Sequence, residues 1–183
     1  MRLLLMLEKE IKTERLIIKS PQIDHAVELA ELINDKSVVK WLSDTPFPYT
    51  LIHAEEFIER SQEKALKNES YNFMIFQNNK MLGGIGLTEF RNQSCELGYW
   101  LGKKYWGSGF ATEAVTGMLD FGFIQLNLIE IFASYKIGNE GSKRVLTKCG
   151  FQFNREKQEF DSVLLQEETL IEMIKINAAE DQP

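Results

Sequence analysis

Two stretches of this sequence carry residue types at spacings that do chemistry. The first reads Lys103-Lys104-Tyr105-Trp106-Gly107-Ser108-Gly109-Phe110-Ala111-Thr112 and places two glycines immediately before a helical pattern. The first turn of a helix leaves its N–H groups without internal partners, and the helix dipole adds roughly half a positive charge there. Glycines without Cβ let a ligand approach that backbone closely, so such a turn can cradle a pyrophosphate. Thr112 in the first turn offers one more donor. A tight strand-to-helix turn that binds nothing would use the same glycines. A P-loop is excluded, because Gly109 is followed by Phe110-Ala111 and not by Lys-Ser/Thr. A dinucleotide fingerprint starting at Gly107 needs a small residue at position 112 and meets Thr112, and Glu130 falls inside a strand where the ribose acid would sit at its end.

The second stretch runs from Asn139 to Phe151. Asn139 stands at a strand-to-helix junction, where it is either an N-cap or a ligand contact, and Ser142 follows in the first turn. Ser142, Val145, Leu146 and Cys149 share one helical face, and Gly150 ends the helix. Cys95 and Cys149 lie far apart, with neither a C-x-x-C spacing nor a nearby histidine, so they read as reduced thiols and not as a disulfide or zinc site.

The elements that position these stretches follow from periodicity. A first strand is expected over 13–20, after an extension over 1–12. A helix then runs to Asn34 and a shorter one covers 35–42. A loop through Pro46 and Pro48 leads to a helix capped by Thr50 and reaching about Asn68. From Tyr71 the pattern becomes strand-like: 71–77 and 81–89 flank the turn Asn78-Asn79-Lys80, and 95–101 follows the turn at 91–93. Helix 111–123, strand 128–134 and helix 139–149 come next, then a strand opening at Phe151–Phe153. A turn near Lys157-Gln158 leads into a last strand, and 177–183 reads as a frayed tail. Three antiparallel strands followed by alternating helices and strands make an α+β domain around one mixed sheet.

Composition narrows the class. The 183 residues are 44% hydrophobic and 26% charged, which fits one globular domain over 1–183 and excludes collagenous and disordered classes. With 27 acids against 21 bases the net charge is −6, which excludes a nucleic-acid binder that relies on a bulk basic field. The apolar run Leu3-Leu4-Leu5-Met6-Leu7 is shorter than a signal-peptide core or a membrane span, so a cytoplasmic protein with no membrane partner is expected.

Three blocks in order, Glu96-Leu97-Gly98-Tyr99-Trp100-Leu101, Tyr105 to Ala114 and Asn139 to Phe151, give a further reading. Together they resemble the GNAT superfamily of N-acetyltransferases, most closely the branch of Rim-type ribosomal-protein N-terminal acetyltransferases. The likeness runs from Thr13 to Phe151. The superfamily pattern Q/R-x-x-G-x-G/A falls on Trp106 to Ala111, with an aromatic residue at its first position, so more of the phosphate grip is left to backbone N–H groups. The resemblance implies a mixed, mostly antiparallel sheet, flanked by helices and splayed between its fourth and fifth strands, 95–101 and 128–134. It implies acetyl-CoA as co-substrate, with no metal, and direct transfer to a primary amine in a ternary complex.

Site roles follow from the same likeness. Backbone groups around Trp100, Leu101 and Gly102 would hold pantetheine and polarise the thioester carbonyl. Trp106, Gly107, Ser108, Gly109, Phe110, Ala111 and Thr112 would hold the pyrophosphate. Asn139 and Ser142 would reach the thioester from its far side. Ser142 would protonate the leaving thiolate, with a water or a tyrosine as the alternative donor. Glu96, on the strand face of Gly98 and Trp100, is the first candidate base, and Glu89 the second. Cys149 has no partner for a covalent route. Trp41, Phe47, Pro48 and Tyr49 fall in the region that shapes the acceptor groove. Ribosomal-protein N-termini, polyamines, antibiotic amines and free amino acids all stay open as acceptors, as do a monomer or homodimer. An acyl-CoA sensor without turnover is the alternative reading.

Overall fold

A computed structural model describes residues 10–177; residues 1–9 of the expected extension over 1–12 and residues 178–183 of the expected tail over 177–183 lie outside the described residues. Eight strands form one sheet: β1 (Glu10–Lys12), β2 (Ile17–Lys19), β3 (Tyr71–Gln77), β4 (Lys80–Arg91), β5 (Ser94–Leu101), β6 (Glu130–Lys136), β7 (Gln152–Asp161) and β8 (Gln166–Ile176), in the order β1-β2-β3-β4-β5-β6-β8-β7. Every neighbouring pair is antiparallel except β5 and β6. The helices are α1 (Ala26–Ile33), α2 (Lys36–Val39), α3 (Leu51–Leu66), α4 (Phe110–Asp120) and α5 (Glu140–Lys148). No helix among the described residues is long and apolar enough to cross a membrane.

Local chemistry explains several of these elements. Asn78 and Asn79 both adopt positive φ (48° and 62°), which two-residue hairpin turns require and asparagine tolerates. Thr50 caps α3 by accepting the His53 N–H, and Ala54, Ile58 and Ser61 recur at helical spacing on its buried side. The two sheet faces bury separate apolar clusters. Leu97, Ile131, Ala133 and Leu146 belong to the one under α4 and α5, and Leu29, Ala54, Ile58 and Met74 to the one under α1 and α3.

Three sequence expectations need correction. Residues 10–12 are not extension but strand β1, paired with a β2 that is much shorter than 13–20. This extra strand makes the splayed pair the fifth and sixth of the sheet rather than the fourth and fifth. The last hairpin turns at 162–165 and not near Lys157-Gln158. Asp161 Oδ1 accepts the N–H groups of Val163 and Leu164, both at 2.9 Å, and closes the turn around an apolar tip. Several of the charges on β7 and β8 are paired across strands: Arg155 with Glu172, and Asp161 and Glu168 with Lys136 of β6.

Candidate active site

The parallel β5–β6 ladder lasts only three residues, from Ser94↔Glu130 to Glu96↔Phe132. Beyond Glu96 the two strands part, and a cleft of about 570 Å³ opens between them, bounded by the Trp106–Thr112 turn and the start of α5. Gly102 N–H bonds back to the Leu82 carbonyl on β4. In an antiparallel ladder the pairing alternates, so Trp100 also turns its backbone groups to β4 while Tyr99 and Leu101 turn theirs to the gap. The Leu101 carbonyl accepts the Trp106 indole N–H at 2.8 Å. The free strand edge at the splay therefore belongs to Tyr99 and Leu101; of the two residues selected from the sequence, Leu101 faces the gap and Trp100 does not.

The glycine turn has the form its residue types require. Gly107 and Gly109 have φ of 77° and 81°, a region costly to residues with Cβ, and Gly109 is the N-cap of α4. The first intrahelical bond is Glu113 N–H to the Gly109 carbonyl, so the N–H groups of Phe110, Ala111 and Thr112 have no helical acceptor. A Cβ at Gly107 would meet nothing within 4 Å, leaving this backbone open to a ligand. Arg144 and Lys148 of α5 line the same cleft. Amides at a helix start with two cations nearby suit a pyrophosphate, and so the donor set fits a CoA ester.

The turn is anchored from a distant part of the chain. Glu113 accepts hydrogen bonds from Thr13 Oγ1 (2.5 Å), the Arg15 N–H (2.7 Å) and Arg15 Nε (2.6 Å). Arg15 Nη1 donates to the Ser108 carbonyl at 3.2 Å, and its guanidinium lies 4.7 Å from the Phe110 ring centroid. Burial pushes the Glu113 pKa up, but the bonds from Thr13 and Arg15 and the Arg15 charge outweigh it and hold the carboxyl below its ordinary value. Thr13 and Arg15 mark only the start of the family likeness in sequence, which gives no sign that they brace residues 108–113.

Across the cleft, Asn139 is an N-cap, its Oδ1 accepting the Ser142 N–H at 3.1 Å. Ser142 Oγ lies 2.7 Å from the Tyr99 hydroxyl. Burial raises the Tyr99 pKa, so the phenol stays protonated. Sequence reasoning passed over this tyrosine, although its alternation opposite Trp100 was legible. Glu96 lies on the other face of β5, and Lys157 Nζ sits 3.3 and 3.2 Å from its two carboxylate oxygens. Lys157 also contacts Glu159 at 3.2 Å. Burial opposes the Lys157 charge, but Glu96 and Glu159 outweigh it and raise its pKa.

Other candidates fall away from this geometry. Glu89 is exposed at the far end of β4, paired with Arg91 at 3.0 Å. Cys95 is buried and its thiol is pushed up to about 12, mainly by desolvation. Cys149 is likewise raised by burial, with its Sγ directed at the Thr112 carbonyl. Neither thiol is set up as a nucleophile. Of the aromatic loop, Trp41 lines the cleft, whereas Tyr49 is buried in the core, its hydroxyl donating to the His53 carbonyl.

A short parallel pair that splays beside a glycine turn bounds this cleft, and comparison with known proteins gives the chain's family. Residues 15–152 match the acetyltransferase (GNAT) domain family, and the chain belongs to that family. It is 32% identical over 144 residues to the uncharacterized N-acetyltransferase p20 of Bacillus licheniformis, covering 76% of this chain and 80% of that protein. Its fold matches ribosomal-protein-S5-alanine acetyltransferase from Vibrio fischeri with a TM-score of 0.82, at 23% identity over 96% of this chain and 100% of that one. It also matches Mycobacterium smegmatis RimJ in complex with CoA-disulfide with a TM-score of 0.86, at 17% identity over 97% and 91% of the two chains. The chain is an acetyl-CoA-dependent N-acetyltransferase.

Proposed function

We propose that residues on opposite faces of β5 divide the work of moving an acetyl group from acetyl-CoA to a primary amine in a ternary complex. The observation that carries this reading is the parting of β5 and β6 after Glu96, with Tyr99–Ser142 on one face of the gap and Glu96 on the other. Acetyl-CoA supplies the activated thioester. The amides of Phe110 to Thr112, exposed by Gly107 and Gly109, hold the pyrophosphate, with Ser108 fixed beside them by Arg15. Arg144 and Lys148 add positive charge on the α5 side. The free edge of β5 at Tyr99 and Leu101 aligns pantetheine as an added strand would, and an N–H there polarises the thioester carbonyl.

Ser142 protonates the departing thiolate. A hydroxyl is a weak acid, and Tyr99 compensates: when its O–H donates to Ser142 Oγ, the serine proton is turned toward the cleft. Glu96 takes the amine's proton directly or through a water, in competition with Lys157 for the same two oxygens. The acceptor is a primary amine on a small molecule or a protein N-terminus.

Glu96→Gln tests the assignment through the pH dependence of amine turnover. The ratio of wild-type to variant kcat/KM should be large at neutral pH, of order 10²–10⁴ for a lost general base. It should shrink at alkaline pH, where the acceptor is already deprotonated. A ratio that stays flat across pH overturns the role of Glu96.

A further inference from the structure

Gly98 lies in the middle of β5, an interior strand, yet it is exposed, and a Cβ built on it would meet nothing within 4 Å. Its φ is not among the positive values, so backbone conformation gives no reason for glycine there. The neighbouring glycines of β4 do have packing reasons. A Cβ on Gly84 would fall 2.7 Å from Trp100 Nε1, and one on Gly86 would strike Asn72 Oδ1. Gly98 pairs with Gly86 across the ladder, so its empty space continues the same face of the sheet and ends where β5 parts from β6. A glycine inside a strand weakens it, and an unpacked one marks a place where a ligand lies against the backbone.

We infer that Gly98 is the floor of the acceptor slot and limits the acceptor to an unhindered primary amine, one whose nitrogen-bearing carbon is not branched further. This rests on the reading of Glu96 and Ser142 given above. The slot has chemistry suited to an amine. Alternation puts Glu96 and Trp100 on the face of Gly98, opposite Tyr99 and Ser142, so an amine lying there reaches the splay from the side away from the proton donor. Asn72 Nδ2 donates to Ser61 Oγ on α3 at 3.2 Å, which turns its Oδ1 over Gly86 as an acceptor at one wall. The Trp100 ring, lying against Gly84, forms a second wall, and the Glu96 carboxylate closes the end. An amine entering there replaces Lys157 on Glu96, while Lys157 keeps Glu159.

The test is Gly98→Ala and Gly98→Val in the full chain, with a glycine-headed tripeptide and 1,4-diaminobutane as acceptors and thiol release as the readout. Each carbon added to the floor should lower amine kcat/KM by a factor of about 10–200, the range for one methylene in a fitted pocket. The loss should appear mainly in amine KM. Acetyl-CoA affinity, measured by calorimetry, should stay within about twofold, because the cradle lies elsewhere. Thermal stability should hold or rise, since both replacements suit a strand better than glycine does. Amine turnover by Gly98→Val equal to wild type overturns the slot. Loss of acetyl-CoA binding with retained CoA binding also overturns it, because the space would then belong to the acetyl group. A melting temperature lowered in Gly98→Ala makes the position one of packing and overturns it as well. Wild-type inactivity on both amines overturns the acceptor reading itself, and the slot with it.

Discussion

Replacing Glu113 with glutamine should loosen the glycine turn, and the size of the effect follows from its contacts. The Glu113 side chain is 15% exposed and accepts bonds from Thr13 Oγ1, the Arg15 N–H and Arg15 Nε. Glutamine keeps one acceptor oxygen but presents an NH₂ to the second Arg15 donor, so one charge-assisted bond is lost, worth about 1.5–3 kcal/mol. The Arg15 side chain is 41% exposed. Solvent screening lowers the expected loss to about 1–2 kcal/mol. For a domain of this length that is a fall of about 2–8 °C in Tm. The pH dependence is the sharper test. Glu113 titrates below its ordinary value in the folded protein, so its stabilisation is complete above the unfolded pKa of about 4.3 and is lost as the pH falls through the folded value. The Tm gap between wild type and Glu113→Gln, read by calorimetry, should be constant near neutrality and close below about pH 4. Acetyl-CoA KM should rise with little change in kcat, because Arg15 no longer fixes the Ser108 carbonyl. A gap that persists unchanged into acid, or a variant as stable as wild type, would refute the clamp.

Two other variants test the cleft. Gly109→Trp should abolish acetyl-CoA binding by calorimetry, since a residue with Cβ at φ 81° costs about 1–2 kcal/mol and the indole covers the helix start; unchanged affinity would remove the phosphate site from this turn. Tyr99→Phe should lower kcat by about 10²-fold while leaving acetyl-CoA KM near wild type. If the two hydroxyls act as one unit, adding this change to Ser142→Ala should cost little more; additive losses would separate them.

Features that depend on neighbours in the chain were legible in the sequence, and those that depend on partners across the sheet were not. Gly107, Gly109, Asn139 and Gly150 take their conformations from local backbone demands, and each stands where its residue type implied. Asn78 and Asn79 make their turn for the same reason. The final hairpin was misplaced because its turn is apolar, Val163-Leu164-Leu165, and its strands are charged. Those charges are tolerated only because Lys136, Arg155 and Lys157 find carboxylates on other strands.

The sequence by itself determined the glycine turn, the capped helix beyond it and the phosphate cradle these can form, because backbone conformation and helix ends are set within a few residues, while acetyl-CoA came from the family resemblance of its three blocks. Tertiary structure alone decided which side chains meet. It put Arg15 on Glu113, 98 residues away, Tyr99 on Ser142, 43 away, and Lys157 on Glu96, 61 away. It also left the space over Gly98 empty while filling that over Gly84 and Gly86. Pairing and vacancy of this kind depend on how strands from distant parts of the chain register and part, and no local pattern carries that information.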